Sequence, residues 1–545
     1  MTAKPFTSSR RRFLQAGGAA WLLLQSGEAQ GADDRNAAGL VIGQPQGAEV
    51  GAQILRDGGN AVDATVAAAL VSGVVALPMC GIGGYGGHLV VGWPDGRAAA
   101  VDFNSTAPAA AREDMFPLAF DGKVRDGINQ YGWLAAGVPG TLAGLQLAID
   151  RFGTRSLSQL IEPAIRFARD GFTLTDAAAT SIRNARGQFE RDPGSARLFL
   201  PEGQPLAAGA IFRNPLLAAM LVQLANANSV DSFYRGEFAR HIAREFQKHG
   251  GLVTEQDLAS YEARQVDPLS IEWRGAIVYT PPLTAGGLSV LQTLSTLKSL
   301  AWDESDPADP KSTQARVEAM RLAWHDRLTL LGDPEGVDVP VIRLLSSEYA
   351  DASADRVRQS VRRQRLIEGT TDGRNAGGTI HLSAADSNGI MAALTLTHGE
   401  GFGARVTVDG LGLVLGHGMS RFDPRPGHPN SPRAGRRPFN NMCPTIVFRQ
   451  QRPVAALGAT GGRRIPNTLV DVLSHLVGRG RSLPEAAQTP RLHTEGDATL
   501  RLAAGWSEAD REYLKRVGYQ IERGAGANLN GIARDLETGA FVAVP

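Results

Sequence analysis

At 545 residues, with 43% hydrophobic and 20% charged side chains, the chain has the composition of a soluble globular protein and is long enough for one large α/β unit or several domains. Formal net charge is +1 and no long run of either sign occurs, which argues against a nucleic-acid groove or a polybasic membrane surface and leaves a small neutral or zwitterionic ligand as the default partner. Two cysteines, Cys80 and Cys443, lie in unrelated segments, so there is no disulfide framework and two unpaired core thiols are expected.

The first segment, "SSRRRFLQAGGAAWLLLQSGEAQGADD", sets Arg10 and Arg11 before Phe13 and Leu14, then a short apolar run, then small residues from Ala29 to Ala32. It resembles a twin-arginine export signal over residues 1–32, which implies a periplasmic or secreted protein exported already folded. The apolar run is far shorter than the roughly 20 residues a bilayer span requires, so no stable membrane span is expected; an uncleaved basic anchor is the other reading.

Next, "AEVGAQILRDGGNAVDATVAAALVSGVVALP" carries small and apolar residues at helical spacing, broken at Gly58-Gly59-Asn60, and predicts two closely packed helices. "GIGGYGGHLVVGW" is a glycine loop running into a strand. Its opening fits the G-x-G-x-x-G spelling, but a dinucleotide loop needs a strand before it and a helix after it, and here that order is reversed. Amphipathic helices dominate to about residue 270, "GAIVYTPPLTAGGLSVLQTLSTL" reads as strand, turn and helix, and "QARVEAMRLAWHDRLTLLG" as a long helix. The polar, Arg-rich and Gly-rich passage from about 351 to Gly378 reads as a linker. No internal repeat is present, and no H-x-x-x-H, C-x-x-C or compact His/Asp cluster suggests a metal; no cofactor is called for.

Beyond Gly378 the texture changes to alternating strands. Thr379, His381, Ser383 and Ala385 share one face of the first; "IMAALTLTH" alternates likewise, and Ser387-Asn388-Gly389 connects the two. Pairing Asp386 with Ile390 puts Leu382 opposite Leu394, Ile380 opposite Leu396 and Thr379 opposite Thr397. A plain amphipathic hairpin would explain the threonines, which strands favour. The glycines before Thr379 support a further reading. Cleavage of the Gly378–Thr379 bond would give Thr379 an α-amine of reference pKa about 7.7–8.0, so that one residue supplies nucleophile and base.

These residues, together with "GGNAVDATVAAALVSGVV", "DFNSTAPAAAREDMF", "GVPGTLAGLQLAIDRFG", "YTPPLTAGGLSVLQ", "RRPFNNMCPTIV" and "GATGGRRIPNTLVDVLSHLV", resemble the γ-glutamyltranspeptidase family of N-terminal nucleophile hydrolases over nearly the whole chain. The resemblance implies an α/β (α+β), four-layer αββα sandwich and a precursor that cleaves itself into a large fragment, 33–378, and a small one, 379–545, which stay together. It also implies Thr379 as nucleophile, Thr397 as the threonine that hydrogen-bonds it, and Gly461 and Gly462 as backbone donors to the oxyanion. The substrate would be a small amide or peptide, cleaved by hydrolysis or acyl transfer, as in glutathione metabolism.

The chain departs from the family where the glutamyl group is held. Asn104 stands where the family has the Arg that grips the α-carboxylate, and Arg421 aligns with the Asp that binds the α-ammonium, with Asp423 near enough to substitute. Gly399 replaces a substrate-contacting Asn, and Asn440 and Asn441 replace a serine pair. Three readings follow: a γ-glutamyl enzyme, an amidase of the same family with another acyl group (cephalosporin-acylase-like, or acting on a small-acid amide such as oxamate), and an uncleaved binding protein.

Overall fold

A computed structural model describes residues 38–368 and 378–544. The export-signal reading falls on residues outside that range. Twelve strands form two six-stranded antiparallel sheets. In chain order they are β1 (Gly39–Ile42), β2 (Gly86–Gly92), β3 (Ala98–Asp102), β4 (Arg264–Val266), β5 (Leu269–Trp273), β6 (Ala276–Thr280), β7 (Ile380–Asp386), β8 (Met391–Thr397), β9 (Thr445–Arg449), β10 (Arg452–Thr460), β11 (Asn528–Arg534) and β12 (Phe541–Val544). The first sheet runs β1-β7-β8-β2-β3-β4 and the second β12-β11-β10-β9-β6-β5.

The sheets face each other across a thin apolar layer that includes Val90, Ala385, Met391, Ala393, Ile446, Phe448 and Ile532. Helices cover both outer faces, giving the four-layer αββα sandwich. The cover on the first sheet is built on α1 (Pro45–Arg56), α2 (Ala61–Val75) and α3 (Leu157–Asp170); that on the second on α4 (Gly287–Ser299), α5 (Pro310–Leu330) and α7 (Arg464–Leu473), with α6 (Ser347–Arg363) and α8 (Glu508–Val517) outside them. Cys80 and Cys443 are buried and unpaired, one in each of these outer cores.

Helix α2 is buried on every side, which its Ala/Val sequence permits, and a capping box between Asn60 and Asp63 starts it. Gly47 and Gly51 of α1 lie against its backbone: an added Cβ would fall 2.6 Å from the Ala68 carbonyl oxygen and 2.8 Å from that of Ala64. Small residues thus let the two helices touch.

The hairpin β7–β8 has the register that alternation predicts, with Leu382 opposite Leu394 and Ile380 opposite Leu396. Asp386 N–H donates to the Ile390 carbonyl at 3.0 Å, and Gly389 takes φ +91° in the turn. Both faces are buried, however: the polar one turns toward the second sheet rather than to water. The Asp386 carboxylate accepts from the Ile390 N–H and from the Ala61 N–H at the start of α2, both at 3.0 Å, which ties the hairpin turn to the core helix.

The passage read as a linker from 351 is helical through Arg363. Ser346 caps α6, and its buried stripe is Ala350, Ser353, Ala354, Val357 and Ser360. Those side chains are small because α4 and α5 lie directly against them, and a stripe so weakly apolar escapes a hydrophobicity reading.

Candidate active site

Thr379 immediately precedes β7 and is 5% exposed. Its hydroxyl donates to Thr397 Oγ1 at 3.2 Å, across the hairpin's open end. The Thr397 hydroxyl donates in turn to the Gly378 carbonyl and accepts from the Gly399 N–H at 2.7 Å. A proton relay therefore runs from the Thr379 hydroxyl to the carbonyl of the peptide bond before it. A carbonyl held by such a donor is more electrophilic, and the adjacent hydroxyl is within reach of its own bond. Gly378 is packed so tightly that an added Cβ would fall 2.7 Å from the Glu400 carbonyl carbon.

Thr379 and Thr397 open onto a narrow cleft that Gly399, Arg421, Asn441 and Gly462 also line. Gly461 and Gly462 form the turn from β10 into α7, with φ +148° and +61°, conformations that favour glycine. Their N–H groups precede a helix N-terminus, where peptide dipoles favour negative charge. The Asn441 side-chain oxygen is held by Arg327, which also donates to the Asn440 carbonyl at 3.0 Å. Burial pushes the Arg327 guanidinium down to about 9, with Arg463 adding to the shift, and its face lies 4.0 Å from the Phe439 ring centre.

Arg421 is the charged residue of the lining. Its Nη2 donates to the Gly399 carbonyl at 2.5 Å and to His417 Nε2 at 3.0 Å. Because a guanidinium only donates, that imidazole nitrogen is unprotonated, and Nδ1–H is left to donate to the Gln130 carbonyl at 3.1 Å. Burial, with Arg421 second, holds the His417 pKa well below its ordinary value. Asp423 is not a lining residue: Arg425 clasps its two oxygens at 2.8 and 2.6 Å.

Two residues expected to touch substrate lie elsewhere. Asn104 directs its amide to Thr284 Oγ1 and the Pro438 carbonyl, both at 2.6 Å, and Asn440 places its amide 3.0 Å from His88 Nε2. Neither lines the cleft. His381 is bound on both ring nitrogens, 2.8 Å from Thr395 Oγ1 and 3.0 Å from Ser383 Oγ, and burial pushes it down to about 3, so it acts as a neutral structural bridge. The lining also includes Tyr85, Met442 and Ile465. Tyr85 and Ile465 sit in stretches whose glycines drew attention in the sequence, and Met442 lies beside the Asn440-Asn441 pair. Among the described residues no group of His, Cys, Asp and Glu could hold a metal, and no helix is long and apolar enough to cross a membrane.

Residues 47–544 match the family model for gamma-glutamyltranspeptidase. The chain is 33% identical to the glutathione hydrolase proenzyme of Escherichia coli (strain K12), over 87% of this chain and 84% of that protein. It is 34% identical to the acylase ACY 1 proenzyme of Pseudomonas sp. (strain SE83), over 91% and 89%. The crystal structure of a cephalosporin acylase from Bacillus halodurans superposes with a TM-score of 0.81 at 27% identity, covering 93% of each chain.

Proposed function

The chain belongs to the γ-glutamyltranspeptidase family, and from that membership we propose that it is a self-cleaving amidohydrolase whose nucleophile is Thr379. The observation that carries this reading is the relay from the Thr379 hydroxyl through Thr397 to the Gly378 carbonyl. In maturation, Thr379 Oγ attacks the Gly378 carbonyl carbon, the C–N bond breaks as the acyl group moves to oxygen, and water hydrolyses the resulting ester. Residues up to 378 then end in a carboxylate, and Thr379 begins the second fragment with a free amine.

In turnover that amine takes the hydroxyl proton as Oγ attacks the substrate carbonyl. The Gly461 and Gly462 N–H groups receive the oxyanion, each such donor being worth about 10²–10³ in rate. The amine leaving group departs with a proton, and water or an acceptor amine releases the acyl group. Thr397, Gly399, Arg421 and Asn441 shape the acyl site. A γ-glutamyl-type amide is the first substrate class. A different acyl group is favoured by one specific arrangement, Arg421 in the cleft with Asn104 turned away from it. The leader with Arg10 and Arg11 is read as directing export to the periplasm or medium.

Intact mass of wild type and Thr379→Ala tests the proposal. Two fragments in the wild type, the second beginning at Thr379, and one chain in the variant are expected. A single chain in both would remove the N-terminal nucleophile and leave a binding protein.

A further inference from the structure

The face of β2 that meets the second sheet is apolar at Val90, but two residues earlier it carries His88, and two before that Gly86, which lies opposite Thr397. The imidazole therefore sits one step along the sheet face from the threonine row, between Thr395 on β8 and Asp102 on β3 in the register. It does not line the cleft. A ring buried in such a layer costs free energy unless its nitrogens are put to use.

Both nitrogens face polar groups. Nδ1 looks onto Asp102 Oδ1 3.4 Å away, and that carboxylate is itself set by the Asn104 N–H at 3.0 Å and by Arg437 at 3.2 Å. Nε2 stands 3.0 Å from the Asn440 amide nitrogen. The direction of that bond follows from Asn440. Its Oδ1 accepts from the Met442 N–H at 2.9 Å, so Nδ2 is the end that faces His88 and donates to it. Nε2 is then the unprotonated nitrogen, and Nδ1–H is the one directed at Asp102. Burial, against the opposing pull of Asp102, pushes His88 down to about 4 and keeps the ring in this neutral form.

Residues 436–444 belong to no helix or strand, so no ladder of backbone bonds fixes them. Within that segment the buried Asn440 side chain closes a turn onto the Met442 N–H, and residues 441 and 442 line the cleft. With Nε2 removed, the amide would lose this acceptor and gain by turning away, and its hold on Met442 would go with it. Resting on the reading of Thr379 as nucleophile, we propose that His88 is a positioning residue for turnover: oriented by Asp102, it fixes Asn440 and, through Asn440, the cleft-lining residues Asn441 and Met442. The self-cleavage relay, from Thr379 through Thr397 to the Gly378 carbonyl, uses none of this segment. Maturation and turnover should therefore respond differently to a change at His88.

The test compares wild type with His88→Leu, His88→Gln, Asn440→Ala and the double variant His88→Leu/Asn440→Ala, using γ-glutamyl and glutaryl p-nitroanilides as substrates. Mass should show complete self-cleavage in all of them. On the better of the two anilides, His88→Leu is expected to lower kcat/KM about tenfold or more, chiefly through KM, since a misplacement of about 1 Å can cost roughly 10²-fold. His88→Gln, whose Oε1 can replace Nε2 as acceptor, should recover about a third or more of the wild-type value. Asn440→Ala should match His88→Leu, and the double variant should be no worse than either. Losses that multiply in the double variant, a His88→Gln as poor as His88→Leu, or full turnover by self-cleaved His88→Leu overturns the positioning role and leaves Thr379 as nucleophile. Uncut His88→Leu beside cut Asn440→Ala overturns it too, because a hold exerted through Asn440 cannot be needed where Asn440 is not. Absence of turnover of both anilides by cleaved wild type overturns the amidase reading and the positioning role together.

Discussion

At position 399 a side chain has no room: φ is +99° and the His417 ring occupies the space beyond. Gly399→Asn is therefore expected to destabilise the protein by about 1–3 kcal/mol and to displace Arg421, with activity falling at least tenfold. Adding His417→Ala should recover stability, and paired melting curves and rates would show the coupling. Gly378 has a similar constraint against the Glu400 backbone, so Gly378→Ala is expected to leave a substantial uncut fraction visible by mass after purification. The proposed base also has a pH signature. An α-amine of reference pKa about 7.7–8.0 must be neutral to accept the hydroxyl proton, so kcat/KM should fall about tenfold per unit below pH 7, and a flat profile there would sink the amine as base.

The hairpin β7–β8 shows which elements sequence alone makes legible. Strict alternation and a Gly389 turn fix the register, because a slip of one residue would send Leu382, Leu394 and Leu396 to the wrong sheet face. What alternation could not show is the tie from Asp386 to α2, which spans more than 300 positions of chain. Asp386→Ala leaves the Ala61 and Ile390 N–H groups unanswered and is expected to cost about 1–3 kcal/mol, measured as a lowered Tm of the processed protein. Helix α6 is illegible for a different reason, its buried face being Ala and Ser with a single Val357. The cleft was legible in part: Thr379, Thr397, Gly399, Arg421, Asn441 and Gly462 do come together, whereas Arg327 looks in sequence like any helical arginine and only the approach of α5 to residues 440–441 brings it in. Asn104 shows the converse. Its place in the chain resembled a binding position, yet its amide is consumed by Thr284 and Pro438.

For the molecule as a whole, five of the buried histidines set the acid limit. Burial lowers His88 to about 4 and His381, His398 and His475 to about 3, and holds His417 well down. The unfolded chain takes up these protons near pH 6.5 and the folded one does not, so stability rises with pH in this window and is lost as pH falls below it. Each histidine contributes up to about 1.4 kcal/mol per pH unit between about 6.5 and 4. Tm should therefore drop steadily from pH 7 to 5, and a constant Tm would contradict the neutral assignments.

The same scale exposes what cleavage at 378/379 would do. In the first sheet β7 and β8, from after the junction, lie between β1 and β2, from before it; in the second, β5 and β6 from before it continue the row begun by four strands from after it. Neither fragment owns either six-stranded sheet complete, so processed protein should elute as one species and melt in one transition. Mixed with a differently tagged copy, it should yield no hybrids until both are denatured. In evolutionary terms the two fragments would be inherited as one unit, because a substitution on a strand from either side of the junction has to fit neighbours supplied by the other.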